Sequence, residues 1–269
     1  MYKEIIIRSP STEQKELLIA KFAEIAEGFD ETGDDLKIYF SEDRYNESEI
    51  LPLISNMGVA METHDLAEQN WNQVWESNFQ PVVVDDFVTV RASFHPQAHQ
   101  TEHEIVITPK MSFGTGHHAT TYLMMQQMRS VNFKGKQVFD FGTGTGILAI
   151  LAEKLGARSV LATDIDAWSI ANAFENIATN HCKNILLHTS DAAYQTGRFD
   201  IILANINRNV LLNALPELSR QLTGEGQLVL SGPLEEDEAI MEQKAYENSF
   251  RLLRKSKKDR WVCLYFKRL

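Results

Sequence analysis

The chain has 269 residues, room for one large core domain and a smaller companion, and its 43% apolar and 23% charged residues are an ordinary globular balance. Its 26 basic and 37 acidic residues leave a net charge of −11, a poor footprint for nucleic acid that suits a basic partner or simple solubility. Two cysteines without C-x-x-C spacing read as free thiols in a reducing compartment, and there is neither a signal-peptide core nor an apolar run of membrane-spanning length, so a cytoplasmic protein is expected.

Residues 3–8 (Lys-Glu-Ile-Ile-Ile-Arg) read as a strand. Ser9-Pro10-Ser11-Thr12-Glu13 offers a helix start, with Leu17, Leu18, Ala20, Phe22 and Ile25 as the apolar stripe behind it. Gly28 and Gly33 bracket a turn before a short strand at 36–40, and a second helix is expected over 47–57, stopped by Gly58. Strand, helix, strand, helix over residues 1–64 predicts a small α/β unit without catalytic spacing, serving either recognition or structure. Over 65–80 the pair Trp71 and Trp75, spaced i, i+4, puts both indoles on one face of a linker helix that Pro81 ends.

Residues 82–84, 87–92 and 104–108 then read as strands around a loop at 95–103. His95, His99 and His103 sit four apart there, but Pro96 prevents a regular helix and no cysteine or carboxylate cluster joins them, so no metal site is expected. Residues 110–121 collect two Gly, two His and three Thr just before a Leu- and Met-rich helix at 122–128. Threonine hydroxyls at a helix N-terminus suit a carboxylate ligand, and a plain helix cap has the same composition.

The most informative stretch is Val138-Phe139-Asp140-Phe141-Gly142-Thr143-Gly144-Thr145-Gly146, followed by Ile147-Leu148-Ala149-Ile150-Leu151-Ala152. A β-type run breaks at three alternate glycines and the apolar period changes from 2 to 3.6, which predicts a buried strand, a tight loop and a helix. Glycines let a ligand approach the backbone, and the helix behind them offers free N–H groups and a partial positive charge. Asp164 lies eighteen residues beyond Gly146, where the next strand should end and where an acid can accept both hydroxyls of a ribose. The third glycine comes one residue too early for a dinucleotide fingerprint. Asp140 would repel a pyrophosphate and favour an ammonium or sulfonium.

Beyond this loop the pattern alternates: helix 147–155, strand 159–163, helix 167–179, strands 184–188 and 199–204, helix 209–221, strand 227–231, helix 236–247, and two closing strands, 250–255 and 261–266. Alternation predicts a parallel sheet with helices on both faces, and two closing strands with no helix between them require one to run antiparallel. A dinucleotide-binding dehydrogenase would need a second βαβ half instead.

Gly-x-Gly-x-Gly after an acidic strand end resembles motif I of the class I methyltransferases, whose ligand is S-adenosyl-L-methionine and whose parallel sheet closes with an antiparallel hairpin. Phe113-Gly114-Thr115-Gly116-His117-His118-Ala119-Thr120-Thr121, residues 140–146, Asp164-Ile165-Asp166, Ala204-Asn205-Ile206 and Leu230-Ser231-Gly232-Pro233-Leu234 resemble, in order and spacing, the bacterial PrmA family. These enzymes methylate large-subunit ribosomal protein eleven, and the resemblance covers nearly the whole chain. It implies an α/β class I S-adenosylmethionine-dependent fold with a Rossmann-like seven-stranded sheet over 81–269. A small α/β substrate-recognition domain over 1–64 and a linker helix over 65–80 would precede it.

The resemblance also implies roles by position. Gly142 and Gly144 would face the methionine part of the cofactor, Asp164 would hold the ribose, Ile165 would pack near the adenine and Asp191 would meet the adenine amino group, with a surface turn as its competing reading. Thr121 would reach the methionine end, Phe113 would lie beside the cofactor, and Asn205 would occupy the acceptor position next to it. Many amino-methyltransferases read Asn-Pro-Pro-Tyr there; Asn205-Ile206-Asn207-Arg208 lacks the groups that hold a planar substrate and favours a flexible amine.

Methyl transfer from a sulfonium is an in-line displacement, so such an enzyme chiefly aligns sulfur, methyl and nitrogen. The amine must be neutral, whereas a free lysine has a pKa of about 10.4, which desolvation lowers. Asn205 Oδ1 and a nearby carbonyl are expected to aim the lone pair, with His118 a candidate for positioning or proton relay. The expected activity is N-methylation of lysine side-chain and/or N-terminal amines of the ribosomal protein, held by an acidic surface. A monomer needing neither membrane nor direct nucleic-acid contact is expected; a small-molecule or nucleic-acid methyltransferase on the same fold is the alternative.

Overall fold

The structure, a computed structural model, describes residues 2–22, 25–30, 34–66, 80–97, 101–108 and 114–269. The chain divides into two compact units, Met1–Phe79 and Gln80–Leu269. The tryptophan pair of the expected linker helix, His99 and Phe113 lie outside the described residues.

The first unit runs β1 (Tyr2–Arg8), α1 (Thr12–Phe22), β2 (Gly28–Asp30), β3 (Leu36–Ser41), α2 (Glu47–Ser55) and β4 (Ala60–Leu66). The sheet order is β2-β3-β1-β4, with β1 antiparallel to both its neighbours. Period 2 explains the packing: Ile5 and Ile7 of β1 and Leu36, Ile38 and Phe40 of β3 share one face and close on Leu18, Phe22, Ile50 and Ile54 from the helices. Two strands were not foreseen. Gly28 begins β2 where a turn was expected, because Phe29 pairs with Ile38. The expected linker helix also loses its first residues, since Asp65 and Leu66 complete β4 against Lys3 and Tyr2.

The second unit opens with β5 (Val82–Val84), β6 (Val88–Ala92) and β7 (His103–Ile107), a three-stranded sheet in that order. Next come α3 (Ala119–Met128), β8 (Gln137–Phe141), α4 (Ile147–Lys154), β9 (Ser159–Asp164), α5 (Ala167–Thr179), β10 (Ile185–Thr189) and β11 (Phe199–Asn205). The chain finishes with α6 (Arg208–Gln221), β12 (Leu222–Leu234), a 3-10 turn (Glu235–Asp237), α7 (Glu238–Glu247), β13 (Phe250–Lys258) and β14 (Trp261–Arg268). These strands make a seven-stranded sheet of order β10-β9-β8-β11-β12-β14-β13. All pairs are parallel except those of β14, which is antiparallel to both β12 and β13, as the missing helix before it required.

The two faces follow from alternation. Phe139 and Phe141, Ile202 and Ala204, Leu228 and Leu230 point toward Leu211, Leu215 and Leu218 of α6 and Met241 of α7. The intervening residues face the other way, where Cys263 Sγ lies 3.9 Å from Met124 Sδ of α3. β12 extends well beyond the expected 227–231, starting directly at the end of α6, and the helix expected from 236 begins as a 3-10 turn before α7.

One feature of α5 has no counterpart in the sequence reading. Asn172, Asn176 and the C-cap residue Asn180 recur every four residues and are buried. Asn180 Oδ1 accepts from Val106 N–H at 3.0 Å and its amide donates to Val106 O, while Asn176 Oδ1 accepts from Thr108 N–H at 2.8 Å. A helix thus supplies side-chain amides where the edge of β7 has no neighbouring strand among the described residues. Asn176 Nδ2 also donates to Thr145 O at 2.9 Å, tying α5 to the glycine loop.

Candidate active site

Strand order reverses at β8, with β9 on one side and β11 on the other, so the carboxyl ends of β8 and β11 leave a crevice between their outgoing loops. A cavity of about 540 Å³ lies there, within the range of roughly 300–1,000 Å³ usual for small-ligand sites. Asp164, Ile165 and Asp191, from the β9–β10 side, line one end; Asn205, His118 and Trp261 line the other.

The glycine loop is stitched to β9. Gly142 and Thr143 N–H both donate to Thr163 O, at 2.9 and 2.8 Å. Gly144 N–H donates to Asp164 Oδ2 at 2.8 Å, and Asp166 N–H donates to Oδ1 at 3.0 Å. Both oxygens of the Asp164 carboxylate are therefore held in orientation, and each keeps lone-pair capacity for a hydroxyl. Ile165, beside it, is 72% exposed, an apolar surface available to a planar base. On the far side Thr145 Oγ1 donates to Gly114 O at 2.7 Å, which joins the loop to the segment before α3.

Asp140 corrects the sequence reading. It is fully buried on the face of β8 away from α6, and it does not line the cavity, so its carboxyl does not meet a ligand charge there. Thr143 Oγ1 donates to its Oδ2 at 2.6 Å, while Oδ1 has no hydrogen-bond partner among the described residues. Burial, reinforced by the neighbouring Asp164 charge, pushes the Asp140 carboxyl up to about 7. Its place is under the loop, as an anchor for Thr143.

At the other end, Asn205 ends β11 and is 9% exposed. Its Nδ2 donates to Thr121 Oγ1 at 3.2 Å, across 84 residues of chain. Thr121 is fully buried directly behind the cavity wall, so in this structure it acts on the site by orienting Asn205. With its amide nitrogen engaged, Asn205 keeps Oδ1 as an acceptor.

His118 is the N-cap of α3, which starts three residues earlier than expected. Its Nδ1 accepts from Thr120 N–H at 3.3 Å and lies 2.8 Å from Thr120 Oγ1. That arrangement leaves the proton of a neutral imidazole on Nε2, which fits a positioning role better than that of a proton acceptor. Arg208, last in the 205–208 segment, pairs with Asp237 at 2.6 Å and holds that carboxyl below its usual range, while Asp237 Oδ2 accepts from Leu234 N–H. The Asn207 side chain accepts from Val210 N–H and caps α6.

Gly142, Gly144, Asp164, Ile165, Asp191, Asn205 and His118 thus share one cavity although they come from five separate stretches of chain. Trp261 joins them without any sequence signal beyond being an aromatic residue at the start of a strand. Among the described residues lining the cavity there is no Lys or Arg, so nothing there would neutralise a phosphate. A carboxylate suited to a diol, an exposed apolar side chain beside it and a neutral amide at the opposite end fit an adenosyl sulfonium instead.

Fold and site together define a class I, Rossmann-like methyltransferase. The family model described as ribosomal protein L11 methyltransferase (PrmA) matches residues 5–269. A ribosomal protein L11 methyltransferase of Porphyromonas gingivalis is 39% identical over 260 residues, covering 93% of this chain and 90% of that one. A counterpart of the same name from Phocaeicola vulgatus is 36% identical over 248 residues, covering 89% and 88%. The crystal structure of a ribosomal protein L11 methylase from Lactobacillus delbrueckii subsp. bulgaricus is similar with a TM-score of 0.65 and 36% identity, over 71% of this chain and 99% of that one. The chain belongs to the ribosomal protein L11 methyltransferase (PrmA) family.

Proposed function

We propose that this enzyme transfers methyl groups from S-adenosyl-L-methionine to lysine side-chain and/or N-terminal amines of ribosomal protein L11. The observation that carries this reading is the cavity at the strand-order reversal, with Asp164 and Ile165 at one end, Asn205 at the other and no Lys or Arg among the described lining residues. When bound, S-adenosyl-L-methionine supplies an electrophilic methyl on a positively charged sulfur. Asp164, already aimed by Gly144 and Asp166, holds the ribose hydroxyls, Ile165 packs on the adenine and Asp191 meets its amino group. Gly142 and Gly144 leave room for the methionine part, whose end lies near Thr121 and Asn205; Phe113 is assigned to the same site.

Asn205 Oδ1 accepts an N–H of the incoming amine, so that the nitrogen lone pair faces the methyl in line with the departing sulfur. The apolar walls disfavour the charged ammonium and supply neutral amine near neutral pH. The first unit serves protein-substrate recognition, and the net charge of −11 suits a basic ribosomal protein. The reaction is placed in the cytoplasm, by a monomer. Labelled methyl transfer to purified L11, run beside transfer RNA, ribosomal RNA and free amino acids, tests this. Label in L11 alone is the expected result; label in an RNA or a small molecule would replace the reading by another methyltransferase activity.

A further inference from the structure

Trp261 belongs to none of the motifs that point to the site, yet it lines the cavity at the end opposite Asp164. It opens β14 opposite Leu234 of β12, and its ring meets His118 edge to face, 4.8 Å between centroids and 65° between planes. His118 is itself held, since its Nδ1 is engaged by the backbone and hydroxyl of Thr120. One face of β14 carries Trp261 and Cys263, and the contact of Cys263 with Met124 fixes α3 along that face. The helix cap is thereby delivered onto the indole.

Resting on the amine-methyltransferase reading, the adenosyl group takes the Asp164 end and leaves the Asn205–Trp261 end to the nucleophile. The acids among the described lining residues, Asp164 and Asp191, both lie at the adenosyl end, so none of these lining carboxylates is beside Asn205 to pair with a cationic nitrogen. In each round of the repeated methylation that the family resemblance implies, the neutral nitrogen forms an N–C bond with its lone pair. The S–CH3 bond breaks with its electrons passing to sulfur, and the resulting alkylammonium loses a proton to water before the next round. Every methyl added also replaces an N–H, so the hold that Asn205 exerts through hydrogen bonding weakens stepwise and is gone for a neutral dimethylated amine. An aromatic face does not weaken this way, because it attracts the positive nitrogen and its methyls without needing an N–H.

We propose that Trp261, positioned by the helix-capping His118, forms the acceptor wall that retains partly methylated amines and carries transfer past the first methyl. The test is mass spectrometry of intact L11 after reaction with wild type, W261F and W261L at saturating S-adenosyl-L-methionine, with cofactor titration of each variant. W261F should keep the wild-type distribution of mono-, di- and trimethyl product within about twofold. W261L should lower the ratio of trimethyl to monomethyl product about tenfold, the factor that a cation–π contact of roughly 1–2 kcal/mol supplies. His118→Ala should shift the distribution the same way, less strongly. If W261L does not fold, W261M is read in its place. A wild-type distribution from W261L, or a wild type that stops at one methyl, would overturn the wall. A wild type that transfers no methyl to L11 would overturn the amine-methyltransferase reading itself.

Discussion

Gly142 and Ile206 fit together so closely that a methyl group on Gly142 would lie 2.2 Å from Ile206 Cγ2. Gly142 also has φ +78°, and from the other side a methyl on Gly232 would lie 1.9 Å from Ile206 O. Ile206, the residue after Asn205, is thus clamped between the loop that follows β8 and the bulged last part of β12. Gly142→Ala should cost about 2–4 kcal/mol, combining left-handed backbone strain with overpacking. Urea denaturation measures it. Adding Ile206→Ala should recover the packing part and leave the backbone part, so a double mutant no more stable than Gly142→Ala would show that Ile206 is not the obstacle.

Asp164 is held by two backbone N–H groups, those of Gly144 and Asp166, and its proposed hold on the ribose is open to a binding test. Asp164→Ala should weaken S-adenosyl-L-methionine binding by roughly 1–3 kcal/mol, the usual loss for charged hydrogen bonds. Asp164→Asn keeps an acceptor oxygen and should lose less. Calorimetric titration distinguishes them, and unchanged affinity in the alanine variant would remove Asp164 from the ribose.

The buried Asp140 gives the protein a pH dependence of unusual sign for a carboxylate. Its pKa rises from 3.8 to about 7 on folding, so the folded state binds the proton more tightly. The corresponding stability is fully present below about pH 4 and is lost as pH climbs to about 7. Asp140→Asn should lack this slope, and its stability relative to wild type should increase from pH 4 to pH 7 and stay level above. Carboxylates held low, such as Asp35 by Ser9 N–H and Arg8 and Asp86 by Arg129, slope oppositely but are common to both proteins and cancel in the difference. Denaturant midpoints across this pH range decide the matter; parallel curves would contradict the raised pKa.

Thr121 offers a test of positioning. Thr121→Val is close in shape but removes the acceptor for Asn205 Nδ2, and should lower methyl-transfer rate about tenfold to a hundredfold, or roughly 1.4–2.8 kcal/mol. Thr121→Ser should keep most of the rate. Equal losses in both variants, measured at saturating cofactor and substrate, would argue that packing rather than the hydrogen bond matters.

Asn176 links β7, α5 and the glycine loop through Thr108 N–H and Thr145 O. Asn176→Leu strands both groups in a buried setting and should destabilise the protein by about 2–4 kcal/mol. Hydrogen exchange should report the loss first at Thr108; protection there equal to wild type would mean another acceptor has replaced the amide.

Local chemistry in the sequence was enough to determine which strands are central, where the glycine loop sits, that Asp164 ends β9 and that the closing strands form a hairpin. Each rests on neighbours in the chain: period 2 against period 3.6, glycines where φ is positive, and strand runs buried on both faces. What tertiary structure decided involves partners far apart along the chain. Asp140 became a buried support, β2 and β4 formed only because β3 and β1 present edges to them, and the α5 asparagines found β7. Thr121 met Asn205 across 84 residues, and Trp261 reached the cavity through antiparallel pairing with β12. A residue's own neighbours set its backbone, but whether a polar side chain faces ligand, solvent or another buried group depends on which surfaces the folded sheet brings within hydrogen-bonding distance.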